Sequence, residues 1–235
     1  ATLLEGETRY RPPMDPHHHL SEAAATWIQD HKLDLNVHDL LPAKWEKLGQ
    51  LVLLPNELGQ TKTWKKVEQH PMAEALWESM AHALKATSLG LQAPIANDTY
   101  RSAQVKMLTG SPDVRFSDHG ITYAFDASKV MFSSGNITER RRIGAMNMQG
   151  EVVVDAYAGV GYYTFPMLVN AGAAHVHACE INPASLAGLK RGAEANGLGE
   201  CITVHAGDNA RSLEGLRGTA DRCHLGLLPS SEPVW

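Results

Sequence analysis

From Val152 onward, short apolar runs alternate with amphipathic stretches, and a turn separates each pair. Glu151-Val152-Val153-Val154-Asp155 reads as a buried strand, followed by a glycine-bearing turn and a helical stretch from Tyr163 to Ala171 that ends at Gly172. His175-Val176-His177-Ala178-Cys179 predicts a second strand. Asn182 then offers a helix N-cap with Pro183 at the first helical position, and this helix stops at Asn196-Gly197. Cys201 to His205 predicts a third strand and Arg222 to Leu228 a fourth. Strands that alternate with helices must pair in parallel, so the pattern predicts an α/β fold with a doubly wound, Rossmann-like sheet.

The first 150 residues have a less regular texture. Ser21 to Lys32 predicts an amphipathic helix opened by Ser21, with Trp27 and Ile28 on its inner side. Leu51 to Leu54 predicts a short strand and Met72 to Lys85 a second helix. Gly120-Ile121-Thr122-Tyr123-Ala124-Phe125-Asp126 alternates as a half-exposed strand does. The expected organisation is a smaller α/β accessory region over 1–132 and a sheet domain over 133–235, joined through Thr138–Ile143. His17-His18-His19 is expected in an exposed loop, since three consecutive side chains do not converge on one ion without an unusual backbone.

Composition narrows the class. The 235 residues are 43% hydrophobic and 20% charged, enough apolar material for a sizeable core. No apolar run approaches the ~18 residues of a membrane helix; Leu51-Val52-Leu53-Leu54 stops at a proline. Glu5, Glu7, Arg9 and Arg11 interrupt the start, which does not read as a cleavable leader. Cys179, Cys201 and Cys223 are too few and too dispersed for a disulfide framework; they are expected as small core residues in a reducing, cytoplasmic setting. Net charge is −5, against a surface that grips nucleic acid everywhere. Residues 1–150 carry 16 Lys/Arg and 17 Asp/Glu (net −1), and residues 151–235 carry 5 and 9 (net −4), so a polyanion is expected to meet the first part.

The chemistry concentrates after the first predicted strand, in Asp155-Ala156-Tyr157-Ala158-Gly159-Val160-Gly161. Gly159 and Gly161 let the backbone approach a ligand, and the following helix start favours negative or polar groups; a purely structural turn uses the same residues. Dinucleotide enzymes want a third glycine where this chain has Thr164. An acid closing the first strand ahead of Gly-x-Gly is the order of S-adenosylmethionine enzymes. Glu180 closes the second strand, where an acid accepts from ribose hydroxyls, a feature NAD enzymes share. Asp208-Asn209 follows the third strand, and an Asp there can accept from the adenine amino group. Each acid alone could be a helix cap or a solvated turn residue; three at successive strand ends point to a nucleoside site.

Three stretches carry a resemblance: Val154–Thr164, Ala178-Cys179-Glu180-Ile181-Asn182-Pro183, and Gly207-Asp208-Asn209. With Gly120–Asp126, Val130–Arg140 and Leu225–Glu232, the chain resembles the tRNA wybutosine-synthesizing protein 2 family over most of residues 40–235. These enzymes are cousins of the tRNA guanine-N1 methyltransferases. The resemblance implies transfer of the 3-amino-3-carboxypropyl group of S-adenosylmethionine to C7 of 4-demethylwyosine beside the anticodon of tRNA(Phe). It also implies donor contacts at Ser133, Arg140, Glu180, Asp208 and Asn209, besides Asp155, Gly159 and Gly161 of the strand-end turn. Arg140 departs from the pattern, in which Lys is expected, so its donor geometry changes while its charge is kept. Ser133-Ser134-Gly135-Asn136 and Leu228-Pro229-Ser230-Ser231 stand where the methyltransferase cousins carry Asn-Pro motifs, which favours aminocarboxypropyl transfer.

A tRNA methyltransferase, a catalytically silent tRNA-binding module and, least in keeping with Thr164 and Asp208, an NAD oxidoreductase are the competing classes. No residue stands out as the general base. Lys62, Lys65, Lys66, Arg141 and Arg142 are candidate tRNA contacts. Neither a metal nor a membrane partner is expected, and a monomer is. Sheets of this kind usually carry about three more strands after the fourth, so a truncated sheet with an exposed edge is expected before Trp235.

Overall fold

The computed structural model describes residues 15–94, 102–132 and 134–226. Helix α1 (Pro16–Asp30) begins earlier than its amphipathic pattern suggested. Asp15 accepts the N–H of His17 at 3.0 Å and Pro16 sits in the first turn, a start signal that outweighs Ser21. The three histidines therefore form helical turn rather than loop, with the His17 ring 4.6 Å from that of Trp45. Among the described residues no group of three His, Cys, Asp or Glu side chains is arranged to hold a metal ion.

A four-stranded sheet follows, built from β1 (Glu46–Leu48), β2 (Leu51–Pro55), β3 (Ser88–Ala93) and β4 (Gln104–Thr109) in that spatial order. Between β2 and β3 lie α2 (Asn56–Gly59), α3 (Lys62–Glu68) and α4 (Ala73–Ala83). This crossover makes β2 and β3 parallel, while β1 and β4 pair antiparallel at the two sides. β2 is apolar on both faces because both faces are covered. Val52 and Leu54 pack with Leu20, Trp64, Leu76 and Leu89, where Trp64 stacks on Trp77 at 4.6 Å. Leu51 and Leu53 face the opposite way, into the core of the second sheet.

The link between the two sheets is a hairpin of β5 (Asp113–Asp118) and β6 (Ile121–Asp126). His119 and Gly120 between them both have positive φ (51° and 79°), the geometry a tight two-residue hairpin turn requires. Ile121, Tyr123 and Phe125 alternate inward, as their spacing predicts. They join Val153, Phe165, Val176 and Leu189 in one core. The hairpin falls within the expected accessory region of 1–132, yet its buried face is continuous with the sheet that follows.

That second sheet contains β7 (Val152–Asp155), β8 (His175–Glu180), β9 (Ile202–Ala206) and β10 (Arg222–His224), all parallel, in the order β10-β7-β8-β9. Before it runs α5 (Ile137–Gly144), and between its strands run α6 (Thr164–Val169), α7 (Pro183–Ala195) and α8 (Asn209–Glu214). The Asn182 cap and Pro183 start of α7 are as the sequence predicts. Its C-cap Asn196 binds β6, accepting from Thr122 N at 2.8 Å and donating to Thr122 O at 2.7 Å. A Cβ at Gly188 would stand 2.9 Å from that of Phe125, so the helix lies against the hairpin at glycine distance. The fourth strand is shorter than expected; 227–235 lie outside the described residues. The cysteines differ from the expected uniform burial: Cys179 is buried, Cys201 half-buried and Cys223 exposed, because Cys223 faces outward on β10. Burial, helped by the charge of Asp155, pushes the Cys179 thiol up to about 11, so it stays protonated.

The outer face of β8 and β9 carries three histidines. His177 Nδ1 lies 3.1 Å from His205 Nε2, and the His175 ring is 5.0 Å from that of His177. Burial, then the neighbouring His175 and His205, hold His177 below the usual imidazole range. A His depressed in the folded state keeps its full stability above the unfolded value of about 6.5 and loses it as pH falls through the folded value. The melting temperature should therefore fall between pH 7.5 and 5.5 more steeply in wild type than in His177→Gln. Equal slopes in differential scanning calorimetry would contradict this.

Candidate functional site

The carboxyl ends of β7, β8 and β9 lie side by side, and each ends in a turn tied to its neighbour by backbone hydrogen bonds. Ala158 N donates to Cys179 O at 2.9 Å, Gly207 N to Glu180 O at 2.9 Å and Ala156 N to His224 O at 3.1 Å. Strand order reverses between β7 and β10, since β8 and β9 lie on one side of β7 and β10 on the other. In open α/β sheets ligands bind outside the strand ends at such a reversal.

Asp155 ends β7 and is fully buried. Its Oδ2 accepts the Thr164 hydroxyl at 2.7 Å, and its Oδ1 accepts Tyr157 N at 3.4 Å. The Thr that replaces a third glycine is thus the anchor of the first acid. Within the turn, Gly159 and Gly161 have φ of +57° and +95°. A Cβ at Gly161 would fall 2.2 Å from Phe165 Cε2, so this position is glycine for two independent reasons.

Glu180 ends β8 and spans two turns. Its Oε2 accepts Gly159 N at 2.7 Å and its Oε1 accepts Asn182 N at 2.7 Å. Burial raises its pKa above the usual carboxylate range, and the N–H groups of Asn182, Gly159 and Ile181 oppose that rise. With three N–H donors on about four lone-pair sites, the carboxylate keeps room for a hydroxyl donor. Asp208 caps α8, its Oδ1 accepting Ala210 N at 2.9 Å, and Asn209 Nδ2 donates to Ala156 O at 2.9 Å. Asp155, Gly159, Gly161, Glu180, Asp208 and Asn209 therefore occupy one edge, linked through Gly159 and Ala156.

Arg140 sits elsewhere, on α5. It is 5% exposed; its Nε and Nη2 donate to Asp118 Oδ2 of β5 at 3.0 and 2.9 Å, and its guanidinium lies 5.0 Å from the Phe132 ring centre. The structure gives it a role in fastening α5 to the hairpin. Phe132 in turn stacks on Tyr162 of the glycine turn at 4.8 Å, so α5 and the turn share one aromatic layer. Ser133 lies outside the described residues. A depression of about 240 Å³ lined by Val154, Leu213, Leu216 and Cys223 opens beside β10, away from Asp155 and Glu180.

Sequence reasoning passed over two residues of this edge. His224 ends β10, in register with Asp155, and Tyr163 covers its ring at 4.5 Å. Its signal was a polar aromatic residue closing the fourth strand, which reading that strand through Leu228 concealed. Asn182 was read as a cap, which it is, and its backbone N–H also holds Glu180.

A parallel sheet with this strand order, a glycine turn after its first strand and acids at three successive ends is the arrangement of a Rossmann-like nucleoside-binding fold. Residues 115–232 match the TRM5/TYW2 methyltransferase domain, and the chain belongs to that family. It is 42% identical over 217 residues to the tRNA wybutosine-synthesizing protein 2 homolog of Rattus norvegicus, covering 92% of this chain and 47% of the relative. To the Danio rerio homolog it is 45% identical over 196 residues, covering 83% and 46%. The chain spans about half the length of the curated relatives it matches. Among solved structures, Methanocaldococcus jannaschii TYW2 in complex with AdoMet aligns at 25% identity and TM-score 0.58, covering 81% of this chain and 67% of that one. Pyrococcus horikoshii TYW2 in complex with MeSAdo, at 24% identity and TM-score 0.69 with 91% and 72% covered, has the same fold.

Replacing Gly161 by Ala forces a left-handed backbone on a side chain that meets Phe165. The expected loss is about 2–4 kcal/mol, from backbone strain plus overpacking. Urea unfolding checks it, and a loss under about 0.5 kcal/mol would mean that the turn rearranges freely.

Proposed function

We propose that this chain carries the donor site of an S-adenosylmethionine-dependent tRNA aminocarboxypropyltransferase. The reaction moves the 3-amino-3-carboxypropyl group to C7 of 4-demethylwyosine in tRNA(Phe), releasing methylthioadenosine, in the cytoplasm and as a monomer. The observation that carries the reading is the alignment of Asp155, Glu180 and Asp208-Asn209 on one sheet edge. It stands in a chain 42–45% identical to relatives named for wybutosine synthesis.

The donor's parts fit the edge in sequence. Glu180 takes a ribose hydroxyl on the lone-pair site left free by Gly159, Ile181 and Asn182. Asp208 and Asn209 take the adenine, and Gly159 and Gly161 give the backbone room for the nucleoside. Asp155 acts from beneath, holding the turn through Thr164. Ser133 is assigned to the methionine end, where contacts to its carboxylate and amine decide which carbon on sulfur faces the acceptor; Arg140, expected there from the family resemblance, is instead buried against Asp118 and supports that end from behind. Turning the methyl away and aiming Cγ is a matter of near-attack positioning.

The tRNA is assigned mainly to the first 150 residues, which include the accessory region of 1–132, while the strand ends of the sheet within 133–235 supply the donor site. Lys62, Lys65 and Lys66 of α3 and Arg141 and Arg142 of α5 are exposed cations. Arg142 also pairs with Glu139 at 2.8 Å. Affinity for tRNA should weaken steeply with salt as phosphate counterions are released.

A charge-assisted hydrogen bond contributes roughly 1.5–3 kcal/mol, so Glu180→Ala is expected to weaken donor binding about tenfold to a hundredfold. Calorimetric affinity unchanged in both Glu180→Ala and Asp208→Ala would refute the placement. The reaction itself is tested with the full chain, S-adenosylmethionine and precursor-bearing tRNA(Phe), followed by mass analysis. The expected products are methylthioadenosine and an aminocarboxypropylated nucleoside. S-adenosylhomocysteine with a methylated nucleoside would assign the chain to the methyltransferases, and neither product would leave a tRNA-binding module.

A further inference from the structure

We infer that His224 is the proton acceptor of the transfer step, oriented by Asp155; this rests on the reading proposed above. The ring closes β10 directly beside the end of β7, at the strand-order reversal where open α/β sheets bind their ligands. Its Nδ1 is buried without a hydrogen bond and points at Asp155 Oδ1 from 3.6 Å. Asp155 is itself immobile, fully buried and fixed by the Thr164 hydroxyl at 2.7 Å. A carboxylate facing Nδ1 selects the tautomer with its proton there, and Nε2 then keeps the lone pair.

The surroundings fix the ring's attitude as well. Tyr163 covers the imidazole at 4.5 Å between ring centres. On the edge, a Cβ at Gly226 would come 2.6 Å from His224 Cε1, so only glycine allows the ring to lie there. The side chain remains 17% exposed while Nδ1 is buried, so its exposed edge lies away from Asp155. An imidazole held in one orientation with one nitrogen turned outward is arranged to take a proton rather than merely to fill space.

The step balances without a further reactant. The acceptor ring carbon forms a bond to Cγ of the donor as the S–Cγ bond breaks, and the bonding pair leaves on sulfur as neutral methylthioadenosine. The carbon's proton passes to His224 Nε2, and the C–H pair restores the ring. The resulting imidazolium is stabilised by Asp155. The charged and titratable groups around it are Asp155 of β7, Tyr163 of the glycine turn, and Glu139, Arg140 and Arg142 of α5.

The test uses the full chain with precursor-bearing tRNA(Phe) and single-turnover release of methylthioadenosine against pH. In wild type the rate should fall towards acid, as protonation removes the Nε2 lone pair that takes the proton. His224→Asn, which can still donate towards Asp155, is expected to lose about a hundredfold or more in rate and to lose the acid limb. Its S-adenosylmethionine affinity by calorimetry should stay within about threefold. His224→Ala provides the second arm, since free imidazole should restore part of its rate, which a packing role would not allow. Wild-type transfer with an undiminished rate in His224→Asn, or with no imidazole rescue, overturns the inference and leaves the reading standing. A wild-type chain that releases only S-adenosylhomocysteine overturns both.

Discussion

Buried carboxylates must have their lone pairs satisfied, and in this protein that requirement builds the site. Glu180 receives the N–H groups of Gly159 and Asn182, which belong to turns on opposite sides of β8. Asp155 receives the Thr164 hydroxyl at the start of α6. Two acids at adjacent strand ends thereby fasten the glycine turn from both directions. Leaving either acid buried and unpaired would cost several kcal/mol, so the turn and the acids stand or fall together. In the proposed donor site, structural and binding roles would fall on one carboxylate.

Support from below comes from the hairpin. β6 presents Tyr123 and Phe125 to the layer formed by Phe132, Tyr162 and Phe165. α7 is clamped to the same strand through Asn196 and approaches Phe125 at Gly188. Arg140 joins α5 to this assembly by its bond to Asp118. A segment outside the parallel sheet thus sets the height of the glycine turn, and the match of the family domain from residue 115 begins within the same hairpin.

Much of this was legible beforehand. The parallel sheet, the α7 cap at Asn182-Pro183 and the alternation of 121–126 follow from period and capping rules, because local chemistry dominates there. β1, β3, β4 and β5 escaped notice for a physical reason. β1 has only three residues, β3 carries Gly90, and β4 and β5 offer few apolar positions each, with Val105, Met107 and Leu108 in β4 and Val114 and Phe116 in β5; partners distant in sequence make them strands. α1 starts earlier than its hydrophobic period predicts because Asp15-Pro16 is a helix-start signal independent of that period. At the site, the acids could be placed at strand ends but their partners could not. Which N–H groups Glu180 accepts, and that His224 faces Asp155, depend on register between strands, and register is a tertiary quantity.

The account rests on a turn that is built before any donor arrives. Amide hydrogen exchange at Gly159 in the ligand-free protein tests this most directly, because that N–H is committed to the Glu180 carboxylate. Exchange slowed about a hundredfold or more relative to an unstructured peptide, with protection lost in Glu180→Ala, is the predicted result. Exchange at the unstructured rate in the wild-type protein would show that the turn forms only around its ligand, and would contradict the account.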